Sequence, residues 1–221
     1  MSRKKKKNKR DEFLAMVPEG AKRILDLGCG DGRLGSMLKI KEREVVGIEK
    51  NDMLCEAAAE KLDRVFSVDM ENFVLPYPKE YFDCILCADV LEHLIEPLVF
   101  LEKCKEYLSE DGFILASIPN IRYYKVIGNL IFSGTWDYME QGILDRTHLR
   151  FFTLINIKEL FIDAGYEIID IKRNIVAASL MRFLNRASFG RLKEFLTYQY
   201  YIKAEKSGVK IPVKKRKTCQ F

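Results

Sequence analysis

Apolar residues along this chain gather in short unbroken runs: RILDL (23–27), VVGIE (45–49), RVFSVD (64–69), FDCILCA (82–88) and GFILASIP (112–119). Stretches with helical spacing separate them. One carries Leu34, Met37 and Leu38, a second is alanine-rich and runs from Asp52, its expected cap, to about Leu62, and a third covers 97–108. Asp111 and Gly112 read as the turn into the fifth run. Strands that are apolar throughout are buried on both faces, and the intervening helices supply the cover. The pattern therefore predicts an α/β fold on a parallel sheet.

Periodicity is lost over 120–150, a segment rich in Tyr, Gly and Arg and too long for an ordinary connection, so it is expected to be an insert forming a lid or acceptor site. Regular structure resumes with a helix behind Thr153 as N-cap, carrying Leu160 and Ile162 and stopping at Gly165. YEIIDIKRNI (166–175) reads as a sixth strand, 180–195 as helical, and LTYQYYIKAEK (196–206) as a seventh, alternating strand. The sum is a seven-stranded, mostly parallel sheet with helices on both faces and an antiparallel last strand. With 221 residues and 48% apolar content the chain suits one core better than two, so 11–209 are expected to form a single domain.

Charge changes the picture only when divided. Residues 1–10 carry seven Lys/Arg and 210–217 carry five, with no acid in either, which leaves 25 basic against 32 acidic side chains elsewhere. The body is acidic, and 1–10 and 210–221 read as basic disordered tails, with contact to an anionic membrane as their sharper use. No apolar run reaches the ~20 residues a bilayer crossing needs, and no signal-peptide core follows the lysines. A cytoplasmic, soluble protein is expected. Cys29, Cys55, Cys84, Cys87, Cys104 and Cys219 lack the spacing of a disulfide framework. Cys84 and Cys87 form a CxxC, but there is no second pair, so buried thiols and no metal are expected.

Gly28, Gly30 and Gly32 end the first run, where absent side chains let backbone amides approach a ligand. Glu49 ends the next strand, about 20 residues on, where a carboxylate can accept both hydroxyls of a ribose. A dinucleotide fingerprint would need a third glycine at position 33, which is Arg33. Asp26 beside the turn would serve a pyrophosphate poorly and a cationic ligand well. Asp69, ending the third strand, can accept from an amino group.

In order and spacing, ILDLGCGDGRL, GIEKNDML, VDME, FDCILCADVLEHL and LSEDGFILASIPN resemble the five motifs of class I S-adenosylmethionine-dependent methyltransferases, over 23–120. The resemblance implies a Rossmann-like sheet and S-adenosylmethionine as cofactor, with S-adenosylhomocysteine as product. Carried over to these positions, it implies cofactor contacts from Asp26, Gly28, Cys29, Gly30 and Ala88, ribose binding by Glu49 with Lys50 beside it, and adenine contacts from Asp69 and Met70. No aromatic follows Glu49 to cover the adenine, a role left to Asn51, Met53 and Met70. His93, in VLEHL, also matches the family, where it starts a helix beside the cofactor.

IPNIRYY followed by GILDRTHLRFFTLINIKELFIDAGYEI is similar to a bacterial subgroup related to ubiquinone-type O-methyltransferases and associated with glycan synthesis, over 118–169. It implies a small-molecule, saccharide or lipid-linked saccharide hydroxyl as acceptor. A hydroxyl must lose its proton, and a histidine suits that at neutral pH. His148 is therefore the candidate general base, with Asp145 orienting it or the acceptor. Arg122, Tyr123, Tyr124, Trp136, Tyr138, Arg146 and Arg150 are candidates for the acceptor pocket. The bland alternative is a polar network of Asp145, Arg146 and His148 that anchors the insert, with the aromatics packing a lid.

Two other classes compete. A nucleic-acid or protein methyltransferase would use the lysines as contacts, but the body is acidic and the Asn/Asp-Pro-Pro-aromatic signature of many base-methylating enzymes is absent, since the fourth strand ends in ADVLEH. A non-catalytic cofactor-binding scaffold would not need the full motif set.

Overall fold

The structure, a computed structural model, describes residues 9–208. Its elements are α1 (Lys9–Leu14), β1 (Arg23–Leu27), α2 (Arg33–Ser36), β2 (Glu44–Glu49), α3 (Asp52–Ala59), β3 (Arg64–Ser67), β4 (Phe82–Ala88), α4 (Pro97–Tyr107), β5 (Leu108–Pro119), α5 (Tyr124–Gly128), α6 (Leu154–Asp163), β6 (Tyr166–Ile175), α7 (Ser179–Ala187), α8 (Lys193–Leu196) and β7 (Thr197–Lys206). The strands form one sheet in the order β3-β2-β1-β4-β5-β7-β6. β1 to β5 are parallel, and β7 runs antiparallel between β5 and β6.

Alternate residues of each strand feed two cores. Leu25, Leu27, Ile85 and Cys87 pack with Phe100, Leu101 and Cys104 of α4 and Ile157 and Phe161 of α6. Ile24, Val45, Cys84 and Leu86 face the other way, onto Phe13 and Met16 near α1, Leu34 and Leu38 around α2, and Ala58 and Leu62 around α3. Both faces are thus dry, the burial that unbroken apolar strands require. Cys84 and Cys87 lie in different cores and so form no joint chelate.

Several boundaries differ from the sequence reading: β3 ends at Ser67 rather than Asp69, and the helical stretch 180–195 is broken into α7 and α8 by left-handed backbone at Phe189 and Gly190. Asn51, not Asp52, caps α3: its side chain accepts from the Leu54 amide at 3.1 Å, while Asp52 accepts from the Ser67 hydroxyl at 2.7 Å. Extended backbone resumes at Leu108 rather than after Gly112, with a register shift against β4 between Phe82 and Cys84. Lys9 and Arg10, assigned to the amino-terminal tail, open α1. The rest of both tails, and Cys219, lie outside the described residues. No helix among the described residues is long and apolar enough to cross a membrane.

Candidate active site

Strand order reverses between β1 and β4, and a cavity of about 560 Å³ opens at their carboxyl ends. Its floor is the turn after β1. Gly28 and Gly30 hold φ of 67° and 55°, a left-handed backbone that disfavours any side chain. A Cβ on Gly28 would meet Val90 Cγ2 at 3.0 Å, whereas one on Gly30 would enter open space. Packing and backbone thus both fix Gly28, and the bare Gly30 keeps the floor clear.

Asp26 closes β1 under this turn, 1% exposed, with Oδ2 lacking a hydrogen-bond partner. Burial raises its pKa to about 7, against the opposing pull of the Gly35 amide. An ionised carboxylate there calls for a cationic ligand. Glu49 reaches the same turn from β2: its carboxylate accepts from the Gly30 amide at 3.0 Å and from the Lys50 and Asn51 amides at 2.9 Å each. Lys50 pairs with Asp69 at 2.7 Å, and this hydrogen bond holds the Asp69 pKa below the usual range.

The opposite wall follows β4. Asp89 has φ 58°, a strained conformation for a side-chain-bearing residue, and its carboxylate accepts from the Ser117 hydroxyl at 3.1 Å and from the Gln199 amide. Glu92 is 1% exposed and neither carboxylate oxygen has a partner. Burial, and then the charge of Asp89, raise its pKa well above the ordinary value. Its backbone carbonyl accepts from the amides of Leu149 and Arg150 at 2.8 and 3.0 Å, which pins the insert to this wall.

That pin delivers His148. Its ring is buried, and Nδ1 lies 3.0 Å from the Ile143 carbonyl. A carbonyl only accepts, so Nδ1 carries the proton and in the neutral ring Nε2 is the basic nitrogen. The His93 ring stands edge-on to it at 4.7 Å, and burial, followed by His148, lowers the His93 pKa. Glu92, His93 and His148 bring donor atoms within 4.8 Å of one another, a mixed carboxylate and imidazole set of the kind divalent cations use. The sequence reading names no metal ligand; a fold contact that no spacing shows brings Glu92 and His93 to His148.

The predicted residues separate by position. Asp26, Gly28, Cys29, Gly30, Ala88, Asp145 and His148 line the cavity. Glu49, Lys50, Met53, Asp69 and Met70 are not among the lining residues: Glu49 ends β2, Met53 lies in α3 and is 80% exposed, and Asp69 and Met70 follow β3, the Met70 sulfur 3.4 Å from where a Gly28 Cβ would be. Asp145 does not orient the imidazole, since its carboxylate accepts from the Thr147 amide and hydroxyl at 2.8 and 2.6 Å and the Ile143 carbonyl holds the ring instead.

None of the seven acceptor-pocket candidates lines the cavity. Arg122 pairs with Glu194 and lies over Phe195, and the buried Tyr123 donates to the Val176 carbonyl at 2.8 Å with Tyr124 edge-on to it. Trp136 packs edge-on against Phe151, Arg146 pairs with Glu140, Arg150 donates to the Ile95 carbonyl, and Tyr138 is exposed. In their place stand residues the sequence reading passed over: Arg10 and Phe13 of α1, Asp89 and Glu92, Asn174 of β6, and Tyr198, Gln199 and Tyr201 of β7. The alternation in LTYQYYIKAEK held the signal for the last three, since it makes β7 a strand whose amino end meets the carboxyl ends of its neighbours.

A family model described as a methyltransferase domain matches residues 2–171. The chain belongs to this methyltransferase-domain family, and its fold is that of class I S-adenosylmethionine-dependent methyltransferases. Among relatives, a ubiquinone biosynthesis O-methyltransferase of Cereibacter sphaeroides is 29% identical over 169 residues, 73% of this chain and 66% of the relative, so the chain spans just under two thirds of that protein's length. A methyltransferase structure from Archaeoglobus fulgidus superposes with a TM-score of 0.66 at 19% identity, covering 89% of this chain and 92% of the other. The cyclase SpnF also superposes, with a TM-score of 0.62 at 18% identity over 90% and 80% of the two chains. One fold thus carries different chemistries, and the site must decide.

Proposed function

We propose that the protein transfers the methyl group of S-adenosylmethionine to a hydroxyl of a small-molecule acceptor, with saccharide or lipid-linked saccharide as the preferred class. The observation that carries this reading is the placement of His148 on the same cavity as Asp26, Gly28 and Gly30. Methyl transfer is an in-line displacement, so the site's work is to align donor and acceptor and to remove the hydroxyl proton. Asp26 and Glu49 suit the cofactor's ammonium and ribose; Nε2 of His148 receives the proton. The O-methyltransferase relatives support a hydroxyl acceptor, and the acidic body disfavours nucleic acid.

A second reading rests on the unpartnered Glu92 carboxylate. Glu92, His93 and His148 would hold a divalent cation, whose charge would favour the ionised acceptor oxygen; His148 would then be a ligand rather than the base.

The test is transfer of labelled methyl into small-molecule, glycolipid, polysaccharide, RNA, DNA and protein fractions of a bacterial extract, with Glu49→Ala as control. Label in the first three supports the proposal, and label only in nucleic acid or protein overturns it. With an acceptor found, full loss of activity in chelator with recovery on adding Zn²⁺ or Mn²⁺ selects the cation reading.

A further inference from the structure

α7 is mounted with its apolar side outward. Leu180, Phe183, Leu184 and Ala187 share one arc of the helix, at the i, i+3, i+4 spacing of a single face, while Arg182 and Arg186 occupy the opposite one. Burying an apolar stripe is the usual reason for a helix to pack on a domain, yet here the sides turned inward are those of Met181 and Asn185, which are partly covered. Leu180 and Phe183 are 68% and 67% exposed. Beyond the helix, Phe189 adopts φ 53°, a strained left-handed backbone for an aromatic residue, and its ring is 94% exposed. Four large apolar side chains therefore project from one excursion between β6 and β7.

The charges nearest to them along the chain are basic, with Asp170 and Glu194 as the flanking acids; Glu194 is paired with Arg122, and Glu12 of α1 lines a groove with Lys172, Arg173 and Lys193. From Ile171 to Lys193 the chain holds Lys172, Arg173, Arg182, Arg186, Arg191 and Lys193 and no acid, although the body as a whole is acidic. The segments outside the described residues, 1–8 and 209–221, are themselves basic and free of acid, so repulsion disfavours either as the cover. An occupant must offer an apolar interior and anionic groups together, on a scale that accepts a protruding helix without a matching groove. A bilayer bearing anionic lipid does so.

We propose that α7 and Phe189 dock the protein onto an anionic membrane surface, the helix lying in the interface with Leu180, Phe183 and Leu184 among the acyl chains and the arginines at the phosphates. The excursion starts at the end of β6 and returns into β7, whose Tyr198, Gln199 and Tyr201 line the cavity with Asn174 of β6. Docking there would set the cavity near the membrane plane. The proposal does not depend on which acceptor is methylated.

The experiment uses the full chain with vesicles of phosphatidylcholine alone and of phosphatidylcholine with phosphatidylglycerol in equal parts, at a salt concentration that screens the lysine-rich ends. A Phe183→Trp variant reports the helix directly, with Trp136, the one native tryptophan, as background. The expected result is a blue shift and quenching by brominated acyl chains on the anionic vesicles, and at least a tenfold loss of binding in a Leu180→Ser, Phe183→Ser variant that retains its circular dichroism spectrum. Binding without any change in the Phe183→Trp emission would mean that the tails alone attach, and would overturn the proposal. Equal binding by the double variant would do the same, as would a dimer in solution that the double variant abolishes, or emission changes with RNA and none with vesicles.

Discussion

Asp26 is poised between two charge states, and with the cofactor's ammonium proposed to sit against it, this predicts a pH-dependent cofactor affinity. Its pKa of about 7 in the free protein comes from burial, so between 3.8 and about 7 the folded chain holds a proton that the unfolded chain has lost. The stability cost of this burial is absent at low pH, grows through that interval and is constant above it. A cationic ligand prefers the carboxylate, so S-adenosylhomocysteine, whose amino group is also charged, should bind more tightly as pH rises from 6 to 8, then level off. Asp26→Asn should bind more weakly at pH 8 and show a flatter profile. Calorimetric titrations of both proteins test this, and an equally steep profile in the variant would move the effect to Asp89 or Glu92, whose pKa values burial also raises. His148 makes the sharper catalytic claim. His148→Ala should lower kcat by roughly 10²–10⁴-fold, the usual worth of a positioned base, while leaving the S-adenosylhomocysteine Kd unchanged. Normal turnover in that variant would reduce the ring to a structural role.

Elements were legible in proportion to how locally they are determined. β1, β4 and β6 fall where the apolar runs place them, because burial on both faces or on one leaves a direct trace in residue type. α6 begins where its sequence says: the Thr153 hydroxyl and the Asn156 side chain form a reciprocal capping box. Thr153→Ala should therefore cost about 1 kcal/mol, read as a lower urea midpoint at constant slope; an unchanged midpoint would show that packing of Ile157 and Phe161 alone sets the helix start. Lysine and arginine at the first turn of α1 look like tail in the sequence, and the reason for the helix to fold is tertiary: Phe13 is buried against Tyr201 from the far end of the chain, with Leu14 and Met16 packing into the same core. Within the insert, the observed partners favour the packing alternative over an acceptor pocket for a related cause. Arg122, Tyr123 and Trp136 have the chemistry of a sugar site, but Glu194, the Val176 carbonyl and Phe151 claim them, partners 15 to 72 residues away that no local pattern announces. Glu92 stood in plain view beside His93, and only the fold shows that its carboxylate is buried without a partner.

At the scale of the whole molecule, the cavity is closed by the two ends of the described chain. Phe13 of α1 and Tyr201 of β7 meet edge-on at 5.5 Å, both line the cavity, and both belong to the core that includes Leu34 and Ala58 behind the glycine turn. A ligand seated on that turn should thus tighten the contact between α1 and β7 as well as fill its own site. S-adenosylhomocysteine at a hundredfold excess over Kd should stabilise the fold by about 2.7 kcal/mol, a rise in Tm of about 5–11 °C for a domain of this size. Phe13→Ala removes a side chain that is 3% exposed, at a typical cost of about 3–5 kcal/mol when such a ring is fully part of the core. If α1 is the flap that the ligand holds down, part of this cost appears as weaker binding: the variant should show a lower Tm, a larger Kd, and a smaller ligand-induced shift at the same ligand concentration. Thermal unfolding with and without ligand separates the cases. A variant that loses stability but keeps the wild-type Kd would mean that α1 supports the core alone and that the cofactor is held entirely by the turns after β1 and β2.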